Sequence, residues 1–212
     1  MSPPTPAERG DLTAHRLPAA GERREVVLVR HGETEWSRDR RHTGRTDIPL
    51  LDEGRAHVRE ALAPKLAGWP FALTLCSPLG RARETAELAG LEPDAFDPDL
   101  LEWDYGDYEG ITTADIRRDR PDWFLWRDGA PGGESPDDVA ARCDRVIARV
   151  LDAIGDGEDD VAVVAHGHLL RVFAARWLEQ PPAFGSRLWL ATGSLSVLGF
   201  ERETRVIRRW NA

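Results

Sequence analysis

Three short apolar runs punctuate the chain, at residues 26–29, 72–75 and 161–165. Each stops at a polar group: Arg30-His31-Gly32, Cys76-Ser77-Pro78 and His166-Gly167-His168. Short runs that are apolar almost throughout, rather than at alternate positions, predict strands buried on both faces, as in a parallel sheet with helices between. The fold class expected is α/β. In open α/β sheets ligands bind beyond the carboxyl ends of the strands, so the three polar interruptions are expected to meet in one crevice.

The intervening pattern places the helices. Residues 52–66 are helix-like, with Pro64 expected to kink or end that helix. Residues 79–89 follow Ser77-Pro78 and stop at Gly90. Ser135 with Asp138 three residues on resembles a capping box, and opens a long amphipathic helix with Val139, Cys143, Val146, Val150 and Ile154 on one face and Gly155 at its end. Residues 169–179 read as another helix, and 194–200 with 205–210 as a hairpin across Glu201 to Thr204. Residues 103–133 combine Trp103, Tyr105, Tyr108, Trp123 and Trp126 with Gly129, Pro131, Gly132 and Gly133, which suits a lid-like excursion over the crevice. Residues 1–23, rich in Pro, Ala and charge, lack the apolar stretch of roughly 7 to 15 residues that a secretory signal needs. They read as a disordered leader to a single domain over 24–212.

Composition narrows the class. The chain is 41% hydrophobic and 31% charged, as a globular protein is. No apolar run approaches the roughly 18 residues of a membrane helix, so no membrane partner is expected. Cys76 and Cys143 form neither a metal cluster nor a disulfide framework, and read as buried thiols of a cytoplasmic protein. A net charge of −9 argues against a nucleic-acid partner, since such binding draws on clustered basic charge. Lys65 is the only lysine and sits in a polar helical stretch, which leaves P-loop and Schiff-base chemistry almost no candidate.

Arg30, His31, Arg81 or Arg83, Glu102, His166 and His168 are the groups expected at the crevice. Guanidinium forks match the oxygens of a tetrahedral oxyanion, and the N-terminus of the helix at 79–89 would add its dipole. A histidine in such a pocket can attack phosphorus through one ring nitrogen if a carbonyl holds the proton on the other. A second histidine, protonated by the same anion, would stabilise the transferring group. Glycine at 32 and 167 would let backbone and ligand approach closely. Glu102 would supply the proton that a leaving alkoxide needs. Taken singly, each group has an ordinary structural use, Glu102 as a solvated loop acid and Arg81 with Arg83 as an exposed helix face. Their coincidence at successive strand ends is what carries the chemistry, and no ligand spacing supports a metal or other cofactor.

As a set, Arg30-His31-Gly32-Glu33-Thr34-Glu35-Trp36, Thr43-Gly44, Ser77-Pro78-Leu79-Gly80-Arg81-Ala82, Leu101-Glu102 with Tyr105-Gly106, and Ala165-His166-Gly167-His168 resemble the phosphoglycerate mutase-like branch of the histidine phosphatase superfamily. The resemblance spans about residues 25–200. It implies a three-layer α/β/α sandwich with a mostly parallel central sheet, phosphoglycerate mutase-like. By it His31 would be the nucleophile, Glu102 the proton donor, and Arg30, Arg81, His166 and Gly167 the phosphate pocket, with Arg81 favoured over Arg83. Ser37, Thr43, Gly44, Trp103, Tyr105 and Arg127 would line the substrate side. The family needs no metal, its members act on small-molecule phosphate esters, and many are dimers, which leaves a homodimer open. Mutases of that branch carry further basic residues for a second anion. Here those places read Glu102-Trp103-Asp104-Tyr105-Gly106, Thr113 and Arg127-Asp128. The resemblance therefore favours hydrolysis, nearest in motif to bacterial acid phosphatases and sugar-bisphosphate phosphatases, over a mutase or a non-catalytic phospho-ligand module, with Arg127 as the residue left for a distal group. Leu51 stands where members commonly place a helix-capping Thr or Ser, a change that Asp52 would have to offset.

Overall fold

The computed structural model describes residues 25–155 and 160–212. The leader expected at 1–23 lies outside them. Among the described residues six strands form one sheet: β1 (Val26–Arg30), β2 (Phe71–Cys76), β3 (Ala95–Phe96), β4 (Asp160–Ala165), β5 (Leu195–Glu201) and β6 (Thr204–Arg209), in the order β3-β2-β4-β1-β5-β6. β1 to β4 are parallel, β5 runs against β1, and β6 runs against β5. The three strands expected from the apolar runs are the three at the centre.

Among the described residues eight α-helices accompany the sheet: α1 (Glu35–Arg38), α2 (Asp52–His57), α3 (Ala63–Leu66), α4 (Gly80–Leu88), α5 (Thr113–Asp119), α6 (Leu125–Asp128), α7 (Pro136–Ile154) and α8 (Gly167–Trp177). Side chains alternate across β1. Val26 and Leu28 join a cluster with Val146, Val150, Leu169 and Phe173 of α7 and α8, while Val27 and Val29 join Val58, Leu62, Ala82 and Ala86 on the other face. The sheet is thus the middle of three layers, as expected. Each such fully buried Val or Leu contributes about 1.5–3 kcal/mol relative to an exposed one.

Local signals set most of the helix ends. Ser135 Oγ accepts the Asp138 N–H while Asp138 Oδ2 accepts the Ser135 N–H, so the capping box holds with Asp in the usual Glu place. Gly90 closes α4 at positive φ: its N–H donates to the Glu87 carbonyl and that of Leu91 to Ala86, a Schellman stop. The hairpin turns on only Arg202 and Glu203, tighter than the sequence suggested. Pro64 stands in the first turn of α3, which ends two residues later at Leu66. A π-turn at Val58–Leu62 precedes it, with the Ala63 N–H reaching back to the Val58 carbonyl, and the widened turn relieves the clash a proline ring makes with the carbonyl four residues earlier. Asp52 does not replace the missing cap of α2, because its carboxylate pairs with Arg55 instead.

The excursion at 103–133 is packed structure. Trp103, Tyr105, Trp123 and Trp126 are buried, and Thr112 with Asp115 forms a second capping box that opens α5.

Candidate active site

The parallel ladder continues past the strand ends. The His31 N–H donates to the Ala165 carbonyl and the Ser77 N–H to the Val164 carbonyl, so His31, Ser77 and His166 stand side by side where β1, β2 and β4 stop. The predicted crevice exists for that reason.

His31 is buried, and its Nδ1–H donates to the Gly32 carbonyl at 2.7 Å, which leaves the Nε2 lone pair free. Burial first, then the charges of Arg81 and Arg30, hold its pKa well below the ordinary histidine value. The His166 ring lies 5.2 Å away, centroid to centroid. Its Nδ1 accepts from Arg81 Nε at 3.2 Å, so the neutral ring carries its proton on Nε2 and donates it to Ser77 Oγ at 2.7 Å. Burial and Arg81 depress its pKa too, in keeping with a neutral ring whose Nδ1 is an acceptor.

Arg81, not Arg83, is the arginine at the strand ends. Arg83 lies against the Phe96 ring. Arg81 is buried, and besides His166 its guanidinium donates to the carbonyls of Thr43, Gly44 and Thr46. The same loop turns its other side to Glu109, whose carboxylate accepts the Gly44 and Thr46 N–H groups. Glu109 therefore anchors the peptide units that hold Arg81, a link no local pattern announces.

Two glycines do different things. A Cβ at Gly167 would meet the Arg30 guanidinium carbon at 3.0 Å, so this glycine makes room for the arginine. At Gly32 the obstacle would be Val58 and the Gly54 carbonyl, so close helix packing rather than ligand approach requires it. The N-terminus of α4 does not face an incoming anion either, because Asp47 already accepts the Gly80 and Arg81 N–H groups.

A cavity of about 260 Å³ opens at the strand ends, lined by Arg30, His31, Glu102, Gly167 and His168 from the expected set, with Ser37, Thr43 and Tyr105. Glu102 sits on the N-terminus of α8. Its Oε1 accepts the Trp103 and Leu169 N–H groups at 2.9 and 2.8 Å, and its Oε2 accepts, among the described residues, the His168 N–H alone, at 3.0 Å. The Tyr105 hydroxyl, its pKa driven well above the ordinary value by burial and then by Glu102, is hydrogen-bonded to His168 Nδ1.

Three substrate-side expectations fall elsewhere. Arg127 is turned outward, its Nε and Nη2 on the Asp128 carboxylate and Nη2 also on the Asp122 carbonyl. Trp103 is fully buried, with its indole N–H on the Glu134 carbonyl, and it backs His168 and Trp126. Gly44 faces Glu109 and Arg81. In their place the cavity gains Arg40, Arg41, His42, Thr113, Arg171 and Leu190. Arg171 had a readable signal, standing three residues past His168 and so on the same helical face.

His31, His42, His166 and His168 all have pKa values depressed by burial. The unfolded chain therefore takes up more protons as pH falls through the ordinary histidine range. This contribution to stability is whole above that range and lost below it, by up to about 1.4 kcal/mol per pH unit for each ring. Urea midpoints are expected to drop between about pH 7.5 and about pH 5.5; a constant midpoint would mean that the folded rings are already charged.

Among the described residues no helix is long and apolar enough to cross a membrane, and no group of three or more His, Cys, Asp or Glu side chains could hold a metal ion. The comparison with known proteins agrees with the geometry. The family model of the histidine phosphatase superfamily (branch 1) matches residues 26–212. An acid phosphatase of Mycobacterium tuberculosis is 43% identical over 183 residues, 85% of this chain and 88% of that protein. A sedoheptulose 1,7-bisphosphatase of Saccharomyces cerevisiae is 36% identical over 185 residues, 71% of this chain and 66% of that one. A solved structure of an M. tuberculosis open reading frame aligns with a TM-score of 0.83 at 41% identity, over 88% of this chain and 96% of that chain. With the match running from β1 to the C-terminus, through both strand-end histidines, the chain belongs to the histidine phosphatase superfamily, branch 1.

Proposed function

We propose that the chain is a cytoplasmic phosphomonoesterase, needing no metal, that hydrolyses small phosphorylated sugars or organic acids through a phosphohistidine at His31. The observation that carries this is the His31 ring, with its Nδ1 proton fixed on the Gly32 carbonyl and its Nε2 lone pair free, in a cavity that also holds Arg30 and Glu102. In the first step Nε2 forms a bond to phosphorus as the P–O bond to the leaving group breaks, and Glu102 gives that oxygen its proton. In the second, water attacks the phosphohistidine, Glu102 takes the proton back, and inorganic phosphate leaves.

Arg30 supplies positive charge for the phosphoryl oxygens. A dianion beside His31 would also draw the Arg81 Nε–H away from His166 Nδ1, freeing that nitrogen to take a proton. The two events together would give the cationic second histidine that the resemblance implies. A cavity of about 260 Å³ suits a small ester better than a phosphoprotein. Hydrolysis is favoured over transfer because the basic residues a mutase places after its proton donor are replaced here, and Arg127 points away.

The test is phosphate release, in chelator, from sugar phosphates, sugar bisphosphates, phosphoglycerates and a chromogenic aryl phosphate. Release is expected from the aryl ester and from several small esters. No release from any of them, or robust bisphosphoglycerate-dependent interconversion of phosphoglycerates, would overturn the reading.

A further inference from the structure

Arg30 lines the cavity beside His31, and the loop that runs across the end of β1 holds it at two points. Its backbone N–H donates to the Ser194 carbonyl, and its Nη1 donates to the Leu190 carbonyl. The buried Nε has no hydrogen-bond partner among the described residues. With Nη1 occupied, the Nε–Nη2 edge of the fork is the edge left for phosphoryl oxygens. Gly167 clears that same edge, since a Cβ there would lie 3.0 to 3.2 Å from the Arg30 Cζ, Nε and Nη2. Which edge Arg30 offers is therefore decided by the Leu190 carbonyl.

That carbonyl is itself held from residues 210–212. The 190–191 peptide has its C=O on Arg30 and its N–H on Asn211 Oδ1, at 2.6 Å. A planar trans peptide points these two groups in opposite directions, so Asn211 and Arg30 face each other across one peptide unit. The carbonyl before it, of Trp189, accepts the Trp210 indole N–H at 2.6 Å. The segment doing the holding is fixed in turn: the Asn211 N–H donates to Ser196 Oγ at 2.9 Å, and Ala212 exchanges backbone hydrogen bonds with Leu195, which pairs with Val29 next to Arg30. Asn211 stands at φ 58°, in the left-handed region that Asn enters more readily than most residues with a side chain. Glycine would serve that turn as well. Asparagine adds the acceptor that Ala191 uses.

We propose that Asn211 is a positioning residue for Arg30: through the 190–191 peptide it fixes the Leu190 carbonyl on Nη1, and so aims the Nε–Nη2 edge at the phosphoryl group. This rests on the phosphatase reading above and names what orients its arginine. Hydrogen bonds in series polarise one another, so the Leu190 carbonyl is a better acceptor while the Ala191 N–H is engaged. Without the Asn211 oxygen that N–H loses its partner, the peptide is free to rotate, and the guanidinium loses the contact that selects its edge. Trp210 acts on the neighbouring peptide and supports the same arrangement from one residue further away.

The test compares the native chain with Asn211→Gly, which keeps the left-handed backbone and removes the acceptor, and Asn211→Asp, which keeps both. It reads orthovanadate binding, as a mimic of the phosphoryl group, beside kcat/KM for an aryl and an alkyl phosphate. Asn211→Gly is expected to bind orthovanadate about tenfold more weakly and to lose about tenfold in kcat/KM, equally for the two esters, because both present the same oxygens to Arg30. Its thermal midpoint is expected to stay within about 2 °C of native, since no core packing is removed. Asn211→Asp is expected to return both readouts to within about threefold of native. Trp210→Phe, which keeps a ring and removes the N–H, is expected to shift them in the same direction by less. Native affinity and turnover in Asn211→Gly, or an Asp variant as impaired as the Gly one, would overturn the role. If the native chain still hydrolyses the aryl phosphate in either case, the phosphatase reading stands without it. A native chain that binds orthovanadate yet hydrolyses no ester would instead remove the phosphatase reading, and the binding ratios alone would then decide the role of Asn211.

Discussion

Replacing His31 by alanine is expected to remove phosphate release from every ester, aryl phosphate included, by at least about a thousandfold in kcat. The expectation follows from where lone pairs are left in the cavity. His166 has both nitrogens engaged, one accepting from Arg81 and one donating to Ser77. His168 is tied through Nδ1 to the Tyr105 hydroxyl, and its ring is packed edge-on against Trp103 and Trp126. His42, its Nδ1–H on the Ile111 carbonyl, keeps a lone pair on Nε2, but it hangs from a loop beside Tyr105 and Trp123 rather than standing at the strand ends. His31 joins a free ring nitrogen to the end of β1, with its other nitrogen held on the Gly32 carbonyl. The variant is expected to fold, since the β1 and β4 residues that build the core are untouched. Intact mass after acid quenching during turnover should show one added phosphoryl group on the native chain and none on the variant. Near-native turnover in the variant would remove the covalent mechanism altogether.

The parts of this site readable from the sequence are those that a strand end delivers. His166 directly follows one apolar run and His31 stands one residue past another, and parallel pairing of β1 with β4, Val26 opposite Val161 through Arg30 opposite Ala165, brings them together with no further information. Contacts that cross the chain were not readable. The sequence places the helix after His168 at 169–179, yet it begins at Gly167, because Glu102 arrives from 66 residues away to accept the His168 N–H. The α4 N-terminus looks open to an anion until Asp47, from the loop after Thr46, closes it. Arg127 and Arg171 were separable only by their partners: the carboxylate of Asp128 lies next to Arg127 in sequence, whereas Arg171 finds carbonyls and an indole ring. Capping from distant residues and ion pairing, near or far in sequence, decide these positions, and hydrophobic periodicity is blind to both.

Glu102→Gln is expected to slow alkyl phosphates by about 100- to 10,000-fold while slowing an activated aryl phosphate far less, because a phenolate with electron-withdrawing substituents leaves without needing a proton. The comparison matters because Glu102 has two roles. Its Oε1 accepts two backbone N–H groups and tethers the start of α8, and an amide oxygen in that place can go on doing so. Its Oε2 accepts one, from His168, and has the spare capacity to carry a proton into the cavity. A glutamine would set its NH₂ against the His168 N–H, two donors face to face, so some local displacement is built into the substitution. Displacement alone acts on the pocket whatever the leaving group, and would lower the rates of both ester classes alike. Loss of the proton falls on poor leaving groups. A loss that grows with leaving-group pKa therefore assigns proton transfer to Glu102, whereas equal losses would leave it as the anchor of α8 and send the search for the acid elsewhere in the cavity.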